Sequence, residues 1–122
     1  DSLNYVKFDI LGLKTIGIIQ DTYKLIGKNW EYTHEIDWND NNVWDDMITS
    51  NVGIFQFEGS YAFDLLSEFK PRAVNDMSLV NAALRPSGKS YRDRLINREF
   101  NNNPSEQIDE LLKDNNGFLV FQ

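Results

Sequence analysis

The sequence predicts an α+β fold that is mainly helical, with one short strand near each end. Residues 6–13 alternate apolar and polar side chains as a half-buried strand does, and residues 118–121 form a second short apolar run. Between these two runs, apolar residues recur at helical spacing in several segments. The length of 122 residues is that of one domain with a modest core.

The opening strand carries a charged pair on one face. Val6, Phe8 and Ile10 alternate with Lys7 and Asp9, so one face is apolar and the other holds a lysine and a carboxylate. The end of a strand that leads through a glycine into a helix is a common place for metal ligands and phosphate contacts in enzymes. On spacing alone, a solvated pair on an exposed strand face is the more frequent explanation.

Six helices are predicted between these strands. In five of them, apolar residues recur at helical spacing, and a capping residue, a glycine or a proline marks an end. The helix over residues 91–100 follows the loop and carries Arg92, Arg94 and Arg98. The first helix should pack on the apolar face of the strand, and the last should turn Ile108, Leu111 and Leu112 inward. The predicted helices cover residues 15–26, 40–50, 60–69, 75–84, 91–100 and 104–116.

Three segments connect these elements. Residues 52–59 are predicted to form a short extended segment bounded by glycines, and residues 101–103 a linker. Residues 85–90 read Arg-Pro-Ser-Gly-Lys-Ser, a loop by composition. A loop glycine, hydroxyls and a following helix N-terminus are the parts of a phosphate-binding turn. The leading glycine of a Walker A loop is absent, so this common nucleotide motif is excluded.

Charge is distributed unevenly along the chain. The net charge of −7 alone argues against nucleic acid as a partner. However, residues 29–69 hold nine acidic and no basic side chains, whereas residues 70–98 hold seven basic and two acidic ones. This basic block can mark a phosphate-facing surface, and ion pairing with the acidic half is an equally good explanation. Its cations are Lys70, Arg72, Arg85, Lys89, Arg92, Arg94 and Arg98.

Other features of the composition narrow the class of protein. Cysteine is absent, which excludes disulfides and thiolate metal sites and favours a cytoplasmic location. No apolar run is long enough to span a membrane, and no secretory pattern opens the chain. His34 is the single histidine and has no second ligand nearby in sequence, so a metal role for it is disfavoured. Because the sequence does not begin with Met, we expect a piece of a longer protein.

Four stretches, in this order, resemble one known family. They are Val-Lys-Phe-Asp-Ile-Leu-Gly-Leu-Lys-Thr at 6–15, Gly-Ile-Phe-Gln-Phe-Glu at 53–58, Ala-Leu-Arg-Pro at 83–86 and Gly-Phe-Leu-Val-Phe-Gln at 117–122. Together they are similar to the palm-to-fingers part of the bacterial replicative DNA polymerase III alpha subunits, the C-family polymerases. The resemblance covers nearly all of this chain and about a tenth of such a polymerase.

The resemblance implies a division of the chain and a metal-dependent activity for its parent. Residues 1–36 would be the C-terminal part of the palm and residues 37–122 the fingers region. In that family the palm holds three metal-binding carboxylates, and Asp9 matches the third, while Lys7 matches a basic residue near the metals and reacting phosphates. The parent would be a DNA-directed DNA polymerase that uses two Mg²⁺ ions. This chain alone lacks the other two carboxylates, so it should bind Mg²⁺ weakly or not at all and be inactive.

The resemblance also implies a contact with nucleotide or DNA in the fingers. Arg85 matches the arginine of the family's Arg-Pro motif and should face the incoming nucleotide or the template. From charge alone, we extend a nucleotide or DNA role to Lys89, Arg92, Arg94 and Arg98. Primer-template DNA and deoxynucleoside triphosphates would be the partners of the parent, with other replisome subunits as further partners and no membrane. Ser87 stands where many members have glycine, and the loop after Pro86 is shorter than in typical members, so the resemblance implies a divergent, phage-like or mobile-element branch.

Two hypotheses from other classes compete with the polymerase interpretation. In one, the chain is a non-enzymatic acidic protein-interaction domain whose basic block pairs internally with the acidic half. In the other, it is a small stand-alone nucleotide-binding protein that uses residues 85–90. Nucleotide affinity in the isolated chain would support the second of these.

Overall fold

The computed structural model describes residues 6–121, which form helices, turns and irregular segments. Two compact units divide the chain, the first ending at Ile36 and the second beginning at Asp37. None of the helices in the described part is long and apolar enough to cross a bilayer. The α-helices are α1 (Lys14–Leu25), α2 (Asn41–Met47), α3 (Ser60–Phe69), α4 (Val74–Leu84), α5 (Arg92–Ile96) and α6 (Glu106–Leu111), and two 3₁₀ helices span Pro86–Ser90 and Lys113–Asn115.

The predicted α+β class is wrong, because neither predicted strand forms within residues 6–121. A strand needs a neighbour to pair its backbone N–H and C=O groups, and the described residues of the first unit offer none to residues 6–13. The side chains of Phe8 and Ile10 are 83% and 94% exposed there. In residues 118–121, Phe118 is buried while Leu119 is exposed, and side-chain packing takes the place of strand pairing.

The first unit contains α1 and the aromatic residues that follow it. The predicted packing of this helix on a strand is wrong, since α1 has no buried residue. Tyr23 of α1 contacts two residues that follow the helix. Its hydroxyl donates to a carboxylate oxygen of Glu31 at 3.0 Å, and its ring lies 5.8 Å from the Trp30 ring between centroids. The hydrogen bond to Glu31 raises the pKa of the Tyr23 phenol above its ordinary value.

In the second unit, α2 begins as predicted. The Asp40 carboxylate accepts a hydrogen bond from the Asn42 amide at 2.9 Å, which satisfies one of the unpaired donors at the start of the helix. On the inner side of α2, Trp44 is 4% exposed. Its indole N–H donates to the main-chain carbonyl of Trp38 at 2.9 Å, so the buried polar atom of this large side chain is paired.

Three helices, α3, α4 and α5, build the core of the second unit. α4 contributes to two clusters of buried side chains, with Val80 in one and Leu79 and Ala83 in the other. The helical spacing of apolar residues predicts inward sides for α3 and α4, and this is confirmed, because the residues at that spacing lie in the first cluster or pack against it. They are Ala62, Leu65, Leu66 and Phe69 in α3 and Met77, Val80 and Leu84 in α4. The first cluster contains Phe57, Leu66, Phe69, Val80 and Ile96, and the second contains Leu79, Ala83, Leu95 and Phe118.

The segment before α3 is folded into turns, so the predicted extended conformation is wrong. The Ile54 amide donates to the Asn51 carbonyl at 3.3 Å, and the Phe57 amide donates to the Ile54 carbonyl at 2.9 Å. Between them Gln56 adopts a left-handed conformation with a φ of 68°. The turns place Phe57 in the core with 3% exposure and leave Phe55 half exposed, whereas an extended chain would send both to the same face.

The last part of the chain differs from the prediction at two points. α6 is short, and Leu111 is 81% exposed instead of facing inward. Residues 101–103 are more than a linker, because the side-chain amide of Asn103 donates to the Gly117 carbonyl at 2.9 Å and the Asn101 amide donates to the Asn116 carbonyl at 2.8 Å. Gly117 has a φ of 77°, and a Cβ at this position would overlap the Asn101 carbonyl. These contacts tie the two ends of the α6 region together.

The packing of the second unit predicts a large contrast between two leucines. Leu66→Ala removes a side chain with no exposed surface and should lower the free energy of unfolding by about 2–5 kcal/mol. Leu111→Ala is the matched control and should change it by less than about 0.5 kcal/mol. Urea unfolding of the 122-residue chain, followed by circular dichroism, measures both. Equal effects of the two substitutions would contradict the described core.

Candidate nucleic-acid interface

A cleft opens in the second unit where α4 ends. Its volume of about 380 Å³ suits a small polar ligand or part of a larger one. Polar side chains from α4 and from the following 3₁₀ helix line one part, and apolar side chains from residues 118–121 line another. The lining residues are Ser78, Asn81, Ala82, Arg85, Ser87, Val120 and Phe121.

The main chain of Arg85 is fixed on both sides at this cleft. Its amide donates to the Ala82 carbonyl at 3.2 Å. Its carbonyl accepts from the Gly88 amide at 2.9 Å and from the Arg92 guanidinium at 3.1 Å. The side chain of Arg85 is exposed and, within residues 6–121, makes no hydrogen bond or ion pair. The residue therefore has a fixed backbone and a guanidinium available to a ligand.

The 3₁₀ helix Pro86–Ser90 replaces the predicted loop. Pro86 fits its first position, where the missing N–H costs nothing. Gly88 is buried against the end of α4, and a Cβ there would lie 2.6 Å from the Ala83 carbonyl oxygen. Only glycine allows this close approach, which turns Ser87 and Lys89 outward as exposed residues. Like the side chain of Arg85, that of Lys89 makes no hydrogen bond or ion pair within the described chain.

Arg92, also a predicted ligand contact, is held by protein partners. Its Nε donates to the Ala83 carbonyl at 2.6 Å, and its Nη2 donates to the Arg85 carbonyl at 3.1 Å. Its Nη1 donates to the Tyr61 hydroxyl at 2.9 Å, and its guanidinium lies 5.7 Å from the centre of the Tyr61 ring. This half-buried cation meets the negative end of the α4 dipole, a favourable position for positive charge.

Arg98 has the corresponding place at the end of α3. Its guanidinium donates to the carbonyls of Phe69 and Lys70, each at 3.1 Å, and lies 4.0 Å from the centre of the Phe69 ring. It also pairs with Asp76 at 3.2 Å. Arg98 is left-handed, with a φ of 55°, and α5 ends at Ile96 instead of near residue 100 as predicted.

Arg94 is paired on the other side of α5. Its Nε donates to Glu99 at 3.0 Å, its Nη1 donates to the Asn101 side chain at 3.1 Å, and its guanidinium lies 5.2 Å from the centre of the Phe118 ring. The five predicted cations of the block therefore divide into two groups. The side chains of Arg85 and Lys89 are exposed and make no hydrogen bond or ion pair in the described chain. The guanidinium groups of Arg92, Arg94 and Arg98 donate hydrogen bonds to protein groups.

In the first unit, Lys7 and Asp9 are both exposed in an irregular segment. Nowhere in residues 6–121 do three or more histidine, cysteine or carboxylate side chains come together to hold a metal ion. Mg²⁺ usually binds through one or two carboxylates together with substrate phosphates and water. The carboxylate of Asp9 alone therefore does not make a magnesium site, and these residues do not fit a bound ion without further ligands.

Sequence reasoning missed the polar wall of the cleft and the capping roles of two arginines. Ser78 and Asn81 of α4 and Arg85, directly after its end, follow one another at intervals of three and four. They therefore form a single polar stripe, and this spacing could have identified the cleft wall. The capping roles of Arg92 and Arg98 had no such signal. Their partners lie on other elements, and only the fold brings them together.

Comparisons with known proteins agree on one family. Residues 15–122 match the family model described as the bacterial DNA polymerase III alpha subunit finger domain. Over 98% of its own length, the chain is 30% identical to DNA polymerase III subunit alpha of Mycoplasma genitalium. The identity to the same subunit of Ureaplasma parvum is 31% over 96% of this chain, and to that of Bacillus subtilis it is 30% over 100% of this chain.

These matches cover only part of each relative. The chain spans 15% of the Mycoplasma protein, 13% of the Ureaplasma protein and 12% of the Bacillus protein. The family resemblance predicted from the four sequence stretches is confirmed, and with a match over residues 15–122 it includes the whole described second unit. The chain therefore belongs to the bacterial DNA polymerase III alpha subunit finger domain family.

Proposed function

We propose that this chain is part of a DNA-directed DNA polymerase that carries out template-directed DNA synthesis in replication. The observation that carries the proposal is the finger-domain match over residues 15–122, together with similarity over nearly the whole chain to proteins named DNA polymerase III subunit alpha. The activity would belong to the whole polymerase, working in the cytoplasm with other replisome subunits. The chain alone would be inactive, since it spans a small part of those relatives.

Within the fingers, Arg85 and Lys89 would contact the phosphates of the incoming nucleotide or of the template. Their exposure and their lack of protein partners in residues 6–121 support this role. Arginine donates in a planar fork that matches phosphate oxygens, and lysine supplies a compact positive charge. The hydroxyl of Ser87 and the amide of Asn81 line the cleft as further donors.

Charge alone also predicts that Arg92, Arg94 and Arg98 contact nucleotide or DNA. Their hydrogen bonds to carbonyls and carboxylates favour a structural contribution, because a guanidinium that leaves such partners for a phosphate exposes unpaired acceptors. We therefore assign the direct phosphate contacts of the parent polymerase to Arg85 and Lys89 in preference to these three arginines.

In the palm part, Asp9 would supply one carboxylate of a Mg²⁺ site, and Lys7 would lie near the reacting phosphates. Support comes from the match of the Lys-Phe-Asp stretch to the family's motif and from the exposure of both side chains. Other carboxylates of the parent would have to complete the site. We keep the division into palm at residues 1–36 and fingers at residues 37–122 as a proposal, and the family match begins inside the first of these.

A non-enzymatic interaction domain is the competing proposal, and it requires the basic block to pair with the acidic half. Within residues 37–121, one ion pair, from Arg72 to Asp45 at 2.6 Å, joins the acidic stretch to the basic block. Arg94 and Arg98 pair instead with Glu99 and Asp76, which lie beside them or in the same block. This pattern favours the polymerase proposal.

A first prediction concerns the exposed cations of the cleft. In the whole polymerase, Arg85→Ala should raise the KM for the deoxynucleoside triphosphate or the Kd for primer-template by about ten- to a hundredfold, the value of a charged hydrogen bond. Lys89→Ala should raise the same constant by a smaller factor. Lys113→Ala is the control, since Lys113 also lies in a 3₁₀ helix and is exposed but pairs with Glu110. Steady-state extension and filter binding give both constants, and unchanged values for Arg85→Ala would contradict the assignment.

A second prediction concerns Asp9. In the whole polymerase, Asp9→Ala should reduce nucleotide addition by more than about a hundredfold while DNA binding stays within about twofold, because a metal-binding carboxylate acts on the chemical step. Asp21→Ala is the control, since Asp21 is an exposed carboxylate in the same unit that pairs with Lys24. Primer extension by Asp9→Ala at a rate close to that of the control would refute the role of Asp9.

A further inference from the structure

We infer that Arg92 is a positioning residue for Arg85, so that it sets how well the cleft binds its phosphate ligand without touching that ligand. This inference rests on the proposed function of the cleft. It gives Arg92 an indirect role in place of the direct phosphate contact predicted from charge.

The first step is the contact between Arg92 and the end of α4. The guanidinium donates to the carbonyls of Ala83 and Arg85, at 2.6 Å and 3.1 Å. These carbonyls lie at the C-terminus of the helix, where the intrahelical donors have run out. Because Arg92 belongs to α5, the contact joins the end of one helix to the start of another.

The second step is the effect of this contact on Arg85. The Arg85 carbonyl accepts from both Arg92 and the Gly88 amide, and the Arg85 amide donates to Ala82. Three hydrogen bonds thus fix the peptide groups on either side of its Cα. Since the direction of the Cα–Cβ bond follows from the backbone, these bonds determine where the side chain of Arg85 enters the cleft.

The third step is the need for arginine at position 92. The planar guanidinium places its donors on two carbonyls and on the Tyr61 hydroxyl at 2.9 Å at the same time. An ammonium group has its donors on one atom and cannot span these three acceptors. Arg92 is half-buried by these partners and is not among the residues that line the cleft, so its influence on a ligand there must pass through Arg85.

The test is a double-mutant cycle in the whole polymerase, with Arg92→Lys, Arg85→Ala and the two combined. We expect Arg92→Lys to raise whichever constant Arg85→Ala raises, the nucleotide KM or the primer-template Kd, by about tenfold, since small displacements of a binding group are costly. kcat should change by a smaller factor than this constant, because Arg92 acts on binding through Arg85. In the Arg85→Ala background, Arg92→Lys should have no further effect.

Two further variants separate positioning from general damage. Tyr61→Phe removes one partner of Arg92 and should raise the same constant by about two- to fivefold, again only when Arg85 is present. Asn75→Ala removes a hydrogen bond to the Asp114 carbonyl at the other end of α4 and should leave the constant unchanged.

The outcomes distinguish this inference from the function on which it rests. If Arg85→Ala raises neither constant, the proposed role of the cleft fails, and the inference fails with it. If Arg85→Ala raises one of them but Arg92→Lys and Tyr61→Phe do not, the positioning role alone is overturned. Effects of Arg92→Lys that add fully to those of Arg85→Ala would also overturn it, because they would show that Arg92 acts independently.

Discussion

The second unit depends on how the C-terminal ends of α3 and α4 are satisfied. The last carbonyls of a helix have no partner within it, and in this chain two arginines from the α5 region supply the donors, Arg98 for α3 and Arg92 for α4. α5 has only five residues and would not persist alone. The guanidinium contacts, together with the buried Leu95 and Ile96, hold it against both longer helices. The same contacts therefore set the relative placement of the three core helices.

This arrangement divides one block of positive charge into two kinds of cation. The guanidinium groups of Arg92 and Arg98 donate hydrogen bonds to main-chain carbonyl oxygens. We call the segment between α4 and α5, residues 85–91, the junction after α4. Arg85 and Lys89 lie in this junction, whose close approach to α4 depends on Gly88. A rigid junction beneath an exposed arginine lowers the ordering cost when a phosphate binds. The two exposed cations thus lie on a backbone held by hydrogen bonds, an arrangement that suits the phosphate contacts proposed for them.

The sequence predicted the helical part of this fold well and its strands wrongly. Helix starts with local signals, such as the Asp40 cap of α2, and the apolar sides of α3 and α4 depend on residues close in sequence, which spacing can identify. A strand depends on a neighbour that spacing cannot supply, so alternation in residues 6–13 was insufficient. In the candidate site, Arg85 could be singled out from its motif. The different role of Arg92 could not be predicted from its charge, because the Tyr61 hydroxyl and the α4 carbonyls contact Arg92 only in the folded chain.

Amide hydrogen exchange in the whole polymerase tests most directly whether the junction after α4 is where this chain meets its ligand. The amides of residues 87–91 should exchange more slowly when primer-template and the matching nucleotide are added, since the Gly88 and Tyr91 amides hydrogen-bond within the turn that presents Arg85 and Lys89. The amides of α6, which lies outside the cleft lining, should be unchanged. Exchange in residues 87–91 that stays the same with bound DNA and nucleotide would contradict the account.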